Sequence, residues 1–212
     1  MSKTILLCVA GLFGACTAYG ANIVLNPGFE TGNFTSWTAD SGLHWLVKMS
    51  DFIILGPHSG TFYANNSCLG ASCITTPDSF LFQDLPTTIN QTYTLTFWYD
   101  RGISGPVKGG SSEELLVLWN GTPALDLAQL NQGSSDPGWT QFTVTGLTAS
   151  STSTRLEFRG RQDPAHLGVD DVDVEASSAV PEPSSLTLAL STLLGFGLFA
   201  KRRKNEFRRH HC

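Results

Sequence analysis

Basic side chains are scarce in the central part of this chain of 212 residues. Residues 21–178 contain six of the 13 Lys and Arg but 16 of the 18 Asp and Glu, a formal net charge of −10. Nucleic-acid binding needs clustered Lys and Arg to contact phosphates. This scarcity therefore excludes a nucleic-acid partner for residues 21–178. It is compatible with calcium ions and with neutral glycans.

Recognisable catalytic motifs are also lacking. The sequence has no Gly-x-Ser-x-Gly elbow, no His-Glu-x-x-His and no glycine-rich phosphate loop. We interpret His44, His58 and His166 as structural, although a Ser–His–Asp triad assembles in space and counting does not exclude one. Glu113 and Glu114 are adjacent, so on a strand they would point to opposite faces and could not flank one glycosidic bond. We predict a protein that is not an enzyme, with a secreted hydrolase as the less favoured alternative.

Cysteine is equally rare, and only Cys68 and Cys73 fall within residues 21–178. In an oxidising compartment two such cysteines are expected to form a disulfide. The loop between them is short, so its entropic stabilisation would be modest. A zinc site would need two further ligands, and His58 is the nearest histidine, so we favour the disulfide.

The N-terminus has the three parts of a secretory signal peptide at residues 1–20. Lys3 supplies a positive charge, residues 4–15 are apolar and small, and Ala18 and Gly20 provide small residues before a cleavage site. An alternative is lipidation of Cys16, but Phe13 stands where that signal prefers leucine. The chain is thus expected to be exported.

The C-terminus combines a short motif, an uncharged apolar run at 186–200 and a basic tail at 201–212. The run has 15 residues, whereas a membrane helix needs about 17–25, and snorkelling of the following basic side chains could extend it. A buried core helix is disfavoured because the basic tail follows at once. We predict a transmembrane helix at 186–200. The motif residues are Val180, Pro181, Glu182, Pro183 and Ser184.

This three-part end, residues 179–212, resembles the PEP-CTERM sorting signal of Gram-negative bacteria that make exopolysaccharide. The resemblance implies an exosortase-type membrane protease as a partner that processes the tail. It also implies export through the inner membrane and transient anchoring by the C-terminal helix. The processed protein would then reach the cell surface or the extracellular space.

Residues 21–178 show short β-rich runs between Gly, Pro, Asn, Ser and Asp, with no sustained helical period. About ten strands at this spacing predict one all-β domain, an antiparallel β-sandwich of the jelly-roll kind, flanked by the signal helix and the transmembrane helix. The predicted strands are Ile23–Leu25, His44–Lys48, Gly60–Ala64, Ser79–Asp84, Gln91–Asp100, Glu114–Trp119, Thr122–Gln129, Thr140–Thr145, Thr152–Arg159 and Leu167–Glu175.

Three segments of this domain resemble galactose-binding-like jelly rolls, which include many carbohydrate-binding modules. Leu25–Trp37 looks like their first strand and turn, His58–Ala64 like their next landmark and Leu167–Val174 like their final strand. The resemblance implies a structural calcium ion that joins the first strand to the last. Its metal ligands would be Glu30 and Asp170, supplemented by backbone carbonyls. We expect Asp170 to begin the last strand, and Asp171 and Asp173 to share its solvent-facing side.

The resemblance also implies glycan binding through aromatic rings that stack on sugars. Trp98 is the best candidate, because it alternates with Leu95 and Phe97 and so points away from the core. The other candidates are Trp45, Tyr63 and Trp119, for each of which core packing is the competing interpretation. We predict a non-catalytic glycan-binding surface protein associated with exopolysaccharide. A structural or adhesive surface protein without a small ligand is the alternative.

Overall fold

Alternating side chains build two sheets that share one core. The computed structural model describes residues 20–42, 44–51, 54, 56–67, 79–102, 113–127, 138–162 and 166–177, all within the unit Met1–Ser177. They form ten strands and no helix. The strands are β1 (Thr38–Ala39), β2 (Trp45–Lys48), β3 (Tyr63–Asn66), β4 (Phe80–Pro86), β5 (Thr92–Asp100), β6 (Glu113–Trp119), β7 (Thr122–Asp126), β8 (Thr140–Thr148), β9 (Ser153–Gln162) and β10 (Leu167–Ala176).

Each sheet has five strands. The first sheet has the order β1-β4-β9-β6-β7 and the second the order β2-β3-β10-β5-β8. Every strand pairing among the described residues is antiparallel. The predicted all-β two-sheet sandwich is therefore confirmed, while the two terminal helices lie outside the described residues.

The core lies between the sheets and is built from the inward side chains of the long strands. Leu95 and Phe97 of β5 and Leu156 and Phe158 of β9 are fully buried. The rings of Phe97 and Phe158 meet edge to face, with centroids 5.3 Å apart. Burying one such side chain contributes about 1.5–3 kcal/mol. This contact between sheets accounts for the strict alternation of both strands.

The structure corrects two of the predicted strands. Ile23–Leu25 is not a strand, although the Ile23 N–H donates to the Val174 carbonyl at 3.0 Å. Gly60–Ala64 becomes a turn followed by β3, because Gly60 has a φ of +64° that a strand does not tolerate. The two-residue strand β1 has too short a pattern to be predicted.

Part of the second sheet's outer face is covered by the chain between β2 and β3. At Gly168 of β10 a Cβ atom would lie 2.7 Å from the Trp139 ring and 3.1 Å from Ile54. Trp139 is held there by its Nε1–H, which donates to the Gly56 carbonyl at 3.0 Å. Farther along this face, in the described part of β8, Gln141 and Thr143 are exposed.

Several predictions fall outside the described residues. They are the signal peptide, the Cys68–Cys73 disulfide, the motif from Val180 to Ser184, the apolar run at 186–200 and the basic tail. In the part of the chain that the structure describes, no helix is long and apolar enough to cross a membrane. These features remain predictions.

Candidate functional site

A bulge in β10 arranges the acidic residues of the last strand. The register with β5 shifts between Asp170 and Asp173, and Asp171 adopts a φ of +45°. The Val172 side chain is buried, and its N–H donates to the Pro27 carbonyl at 3.0 Å. Asp170 is therefore the fourth residue of the strand rather than its first. The bulge also breaks the simple alternation expected for Asp171 and Asp173.

Asp170 is fully buried, and in the described part of the chain its hydrogen-bond donors are three backbone amides. Its Oδ2 accepts from the His58 N–H at 2.9 Å and the Ser59 N–H at 3.2 Å, and its Oδ1 accepts from the Asp171 N–H at 2.8 Å. Burial above all, together with the nearby charge of Asp171, raises the pKa of Asp170 to about 7, although the amide donors act to lower it. The carboxylate fastens the turn at 58–62 to β10.

Glu30 holds the other end of the same turn. Its Oε1 accepts from the Thr61 N–H at 2.9 Å and the Phe62 N–H at 3.0 Å. A Cβ atom at Gly60 would collide with this carboxylate, so only glycine fits there. The structure thus brings Glu30 and Asp170, which are 140 positions apart, to the two ends of one turn, where the resemblance to galactose-binding-like jelly rolls implied that they would meet.

The acidic side chains have the oxygen chemistry that calcium prefers, but they are too few to bind the ion without further donors. A Cβ atom at Gly28 would lie 3.2 Å from Asp171 Oδ1, 3.6 Å from Asp170 Oδ1 and 3.7 Å from Glu30 Cγ. The carboxylate oxygens of these three residues are hard donors, and a nearby cation would stabilise the ionised form of the buried Asp170. Among the described residues, however, no three His, Cys, Asp or Glu side chains are grouped as metal ligands. A calcium ion here would take most ligands from backbone carbonyls.

An aromatic group lies beside these carboxylates. The His58 ring stacks on Trp98, with centroids 3.6 Å apart and planes at 14°, and its Nδ1 lies 2.6 Å from Asp171 Oδ2. Ser59 Oγ donates to Asp171 Oδ1 at 2.8 Å. The serine proton therefore goes to the carboxylate and not to the imidazole. This is not the order of contacts that a Ser–His–Asp triad requires.

Three of the four aromatic residues predicted to contact sugar are buried. Trp45 is 2 % exposed, Tyr63 is 0 % and Trp119 is 6 %, so none of these rings can stack on a sugar in this conformation. Trp45 and Trp119 point between the sheets, where the Trp119 Nε1–H donates to the Thr148 carbonyl at 3.0 Å. Tyr63 points outward but packs under Trp139, with centroids 5.6 Å apart. Side-chain alternation alone did not reveal this cover.

Trp98 lies on the outer face of the second sheet, as predicted, and is half-buried. It pairs with Gln141 of β8, and two residues earlier Thr96 pairs with Thr143 on β8 and Asp173 on β10. The Asp173 Oδ1 atom is buried and has no hydrogen-bond partner among the described residues, and burial, followed by the charge of Glu175, raises the pKa of Asp173. Trp98 therefore stands at the end of a polar row that can form hydrogen bonds with hydroxyl groups.

A second polar cluster was missed by the sequence reasoning. Asp51 Oδ2 lies 2.6 Å from His166 Nδ1, accepts from Asn65 Nδ2 at 2.8 Å and lies 3.7 Å from Lys48 Nζ. Burial and then Asp51 raise the pKa of the neighbouring Tyr63. These residues are distant in the sequence, and no local pattern connects them. Like His58, both His166 and His44 pair with an aspartate, His44 with Asp40 at 2.6 Å, in agreement with structural roles.

No protein-family model matches the chain, and no curated protein is similar enough to match. Solved structures do match. The K1 cleaved adhesin domain of Lys-gingipain from Porphyromonas gingivalis W83 is 20% identical, with a TM-score of 0.50 over 71% of this chain and 96% of that one. The CBM22-1–CBM22-2 tandem domain of Xyn10C from Paenibacillus barcinonensis is 17% identical, with a TM-score of 0.50 over 80% of this chain and 49% of that one.

TmCBM61, solved in complex with β-1,4-galactotriose, is 18% identical, with a TM-score of 0.49 over 74% of this chain and 99% of that one. At these identities the similarity establishes the fold alone. The described residues therefore share the two-sheet jelly-roll architecture of carbohydrate-binding modules and adhesin domains. Function has to be argued from the site.

Proposed function

We propose that this domain is a non-catalytic glycan-binding module that holds polysaccharide on the outer face of its second sheet. The observation that carries the proposal is Trp98, an outward ring fixed by its stack on His58 at 3.6 Å and followed by a polar row. A rigid aromatic ring offers a flat apolar surface to a sugar, and neighbouring Thr, Gln and Asp side chains can bind its hydroxyls. The tandem CBM22 domain of the same fold supports this class of ligand.

The test compares two aromatic residues on opposite faces. Trp98→Ala is expected to abolish retardation of the protein in gels that contain soluble galactan or xylan. Phe82→Ala, on the outer face of the first sheet, is the matched control and should leave the retardation unchanged. Equal retardation of both variants would show that the sugar contacts a different part of the surface. No retardation of the unaltered protein by any of a panel of polysaccharides would reject the proposal.

A structural or adhesive surface protein is the second candidate. The burial of Trp45, Tyr63 and Trp119 favours it, because it leaves the described surface with few rings for sugars. The adhesin domain of Lys-gingipain has the same fold. A hydrolase is less favoured, since in the described ranges Ser59 donates to Asp171 rather than to His58. Binding to cells without binding to purified polysaccharide would support adhesion.

We also propose that the chain is exported, anchored by residues 186–200 and processed by an exosortase-type protease. The support is the order of the three C-terminal parts, which begins with Pro181, Glu182 and Pro183. A chain with these three residues changed to alanine should accumulate unprocessed in the inner membrane. A chain with Ser185→Ala should be processed normally and should reach the cell surface or the medium. Normal processing of the triple variant would reject the proposal.

A structural calcium ion remains part of the proposal, with Glu30 and Asp170 as its side-chain ligands and the carbonyls of Thr31, Gly32 and the 58–59 peptide as further donors. The support is the oxygen chemistry of these groups and the buried position of Asp170. Calcium would supply positive charge that favours the ionised carboxylates, and so would stabilise the domain. The chain's own residues already connect the first segment to the last strand.

A further inference from the structure

The four sheet edges of the described sandwich differ sharply in how they are protected against pairing with another chain. β1 has two residues, β2 has four and ends in Lys48, and β7 has five and contains Pro123 and Asp126. Short length, charge and proline are the usual means by which proteins blunt an edge. β8 has nine residues, Thr-Gln-Phe-Thr-Val-Thr-Gly-Leu-Thr, with no charge and no proline.

β8 is also an edge strand of the described sandwich. It pairs with β5 on one side and is the last strand of the second sheet. No described residue pairs with its other side. Its register is regular from Thr140 to Val144 and shifts before Leu147, near Gly146 with its φ of +78°. The regular stretch of five residues, about 17 Å long, offers unpaired backbone donors and acceptors.

The side chains of this stretch suit a second copy of the same strand. We propose that two copies of this chain associate through antiparallel pairing of β8 with β8, which makes one continuous ten-stranded sheet. A twofold axis at Phe142 would place Thr140 opposite Val144 and Gln141 opposite Thr143. Each residue then meets one from the same face of the sheet. This register keeps Phe142 and Val144 on the core side, where both are only partly buried in one copy.

Charge favours this edge over the rest of the surface. Residues 21–178 carry a net charge of −10, so two copies repel each other over most approaches. The uncharged β8 is a place where they can meet without opposing carboxylates. A stable interface buries about 800 Å² per partner. A five-residue edge provides less, so the dimer is concentration-dependent.

The test uses charge complementation on the outer face of β8, where Gln141 and Thr143 are exposed. One variant carries Gln141→Glu and Thr143→Glu, and a second carries Gln141→Lys and Thr143→Lys. Like charges directly opposite each other on paired strands are destabilising, and opposite charges are favourable. A neutral control exchanges the two residues, Gln141→Thr and Thr143→Gln. Circular dichroism checks that each variant is folded.

Sedimentation equilibrium of the full chain in detergent reads out the mass. We expect a concentration-dependent rise to twice the 22.8 kDa chain mass for the unaltered protein and the neutral control. Each charged variant should stay at the chain mass, and an equimolar mixture of the two should recover the dimer. If the unaltered chain is monomeric at every concentration, the proposal that β8 pairs with a second copy of the chain is wrong. Dimeric charged variants, or a mixture that stays monomeric, would overturn β8 pairing as well.

Discussion

The outer faces of the two sheets use aspartate in opposite ways. On the first sheet Asp84 accepts from Arg155 Nε at 2.8 Å and Nη2 at 3.0 Å, and the guanidinium lies 3.6 Å from the Phe82 ring centroid. Both charged side chains are exposed, at 50 % and 41 %. On the second sheet Asp170 is fully buried and accepts from three backbone amides.

The comparison shows that the number of contacts that a charged side chain makes does not predict how much it contributes to the free energy of unfolding. Water can replace either partner of an exposed ion pair, so such pairs contribute about 0–1 kcal/mol. The Asp170 carboxyl group is itself fully buried, so removing it leaves three partly buried N–H groups without their acceptor, which costs more. Asp170 therefore holds the turn at 58–62 on the second sheet, whereas Asp84 and Arg155 form an exposed ion pair on the first.

The largest expected effect is that of Asp170→Ala. The substitution leaves the N–H groups of His58, Ser59 and Asp171 without their acceptor, so we expect a loss of about 3 kcal/mol in the free energy of unfolding. Urea unfolding at pH 5, followed by tryptophan fluorescence, measures it. Asp84→Ala is the control with the same change of side chain. Similar losses for the two variants would contradict the comparison.

The next effect is the pH dependence that Asp170 confers. Its folded pKa of about 7 lies above the unfolded value of 3.8, so the folded state binds the extra proton between these values. The contribution to stability is complete below about pH 4 and is lost as pH rises through 7. In chelator, the melting temperature should fall by several degrees from pH 5 to pH 8, and less so in Asp170→Ala. An equal fall in both would assign the loss to other groups.

Calcium should oppose this loss. A bound cation favours the ionised form of Asp170, so the rise in melting temperature with calcium should be larger at pH 8 than at pH 5. Glu30→Ala and Asp170→Ala should each remove the rise, and Asp84→Ala should keep it. Thermal unfolding with calcium and with chelator is the measurement. No rise at pH 8 would remove the proposed ion while leaving the fold intact.

A smaller effect is expected for Glu30→Ala. Glu30 makes the same kind of contact as Asp170, to the N–H groups of Thr61 and Phe62, but it is exposed. Water can replace it, so the loss of stability in chelator should be about 1 kcal/mol. Glu30→Gln, which keeps an acceptor oxygen, should lose less. A loss as large as that of Asp170→Ala would mean that burial is not what separates the two carboxylates.

The smallest effect is expected for Arg155→Ala. The bidentate pair with Asp84 is exposed, so removing it should cost about 0.5 kcal/mol, and less in 1 M salt. Arg155 lowers the pKa of Asp84, so the pair's contribution is present above about pH 4 and is lost as pH falls through the lowered value. Urea unfolding at low and high salt measures it. A loss that salt does not reduce would point to the packing on Phe82.

Much of the fold could be predicted because its signals are local. The alternation in β5 and β9 follows from one face packing on a core, and nine of the ten predicted strands have an observed counterpart. The meeting of Glu30 and Asp170 came from a resemblance and not from spacing. The exposure of the aromatic candidates was predicted less well, because a ring on the outer face of a sheet is buried when another segment of the chain packs on it. For Tyr63 that cover is Trp139, 76 residues away.

By itself, the sequence determined the class of the fold and the acidity of the domain, because periodicity and composition need no knowledge of distant neighbours. It also determined that Trp98 points outward, since strand alternation decides the face. Only the tertiary structure decided that His58 stacks on Trp98, that Asp51 meets His166 and that Asp170 is sealed from water. Burial, and contacts between residues 40 to 115 positions apart, are properties of packed sheets, which no local stretch of chain contains.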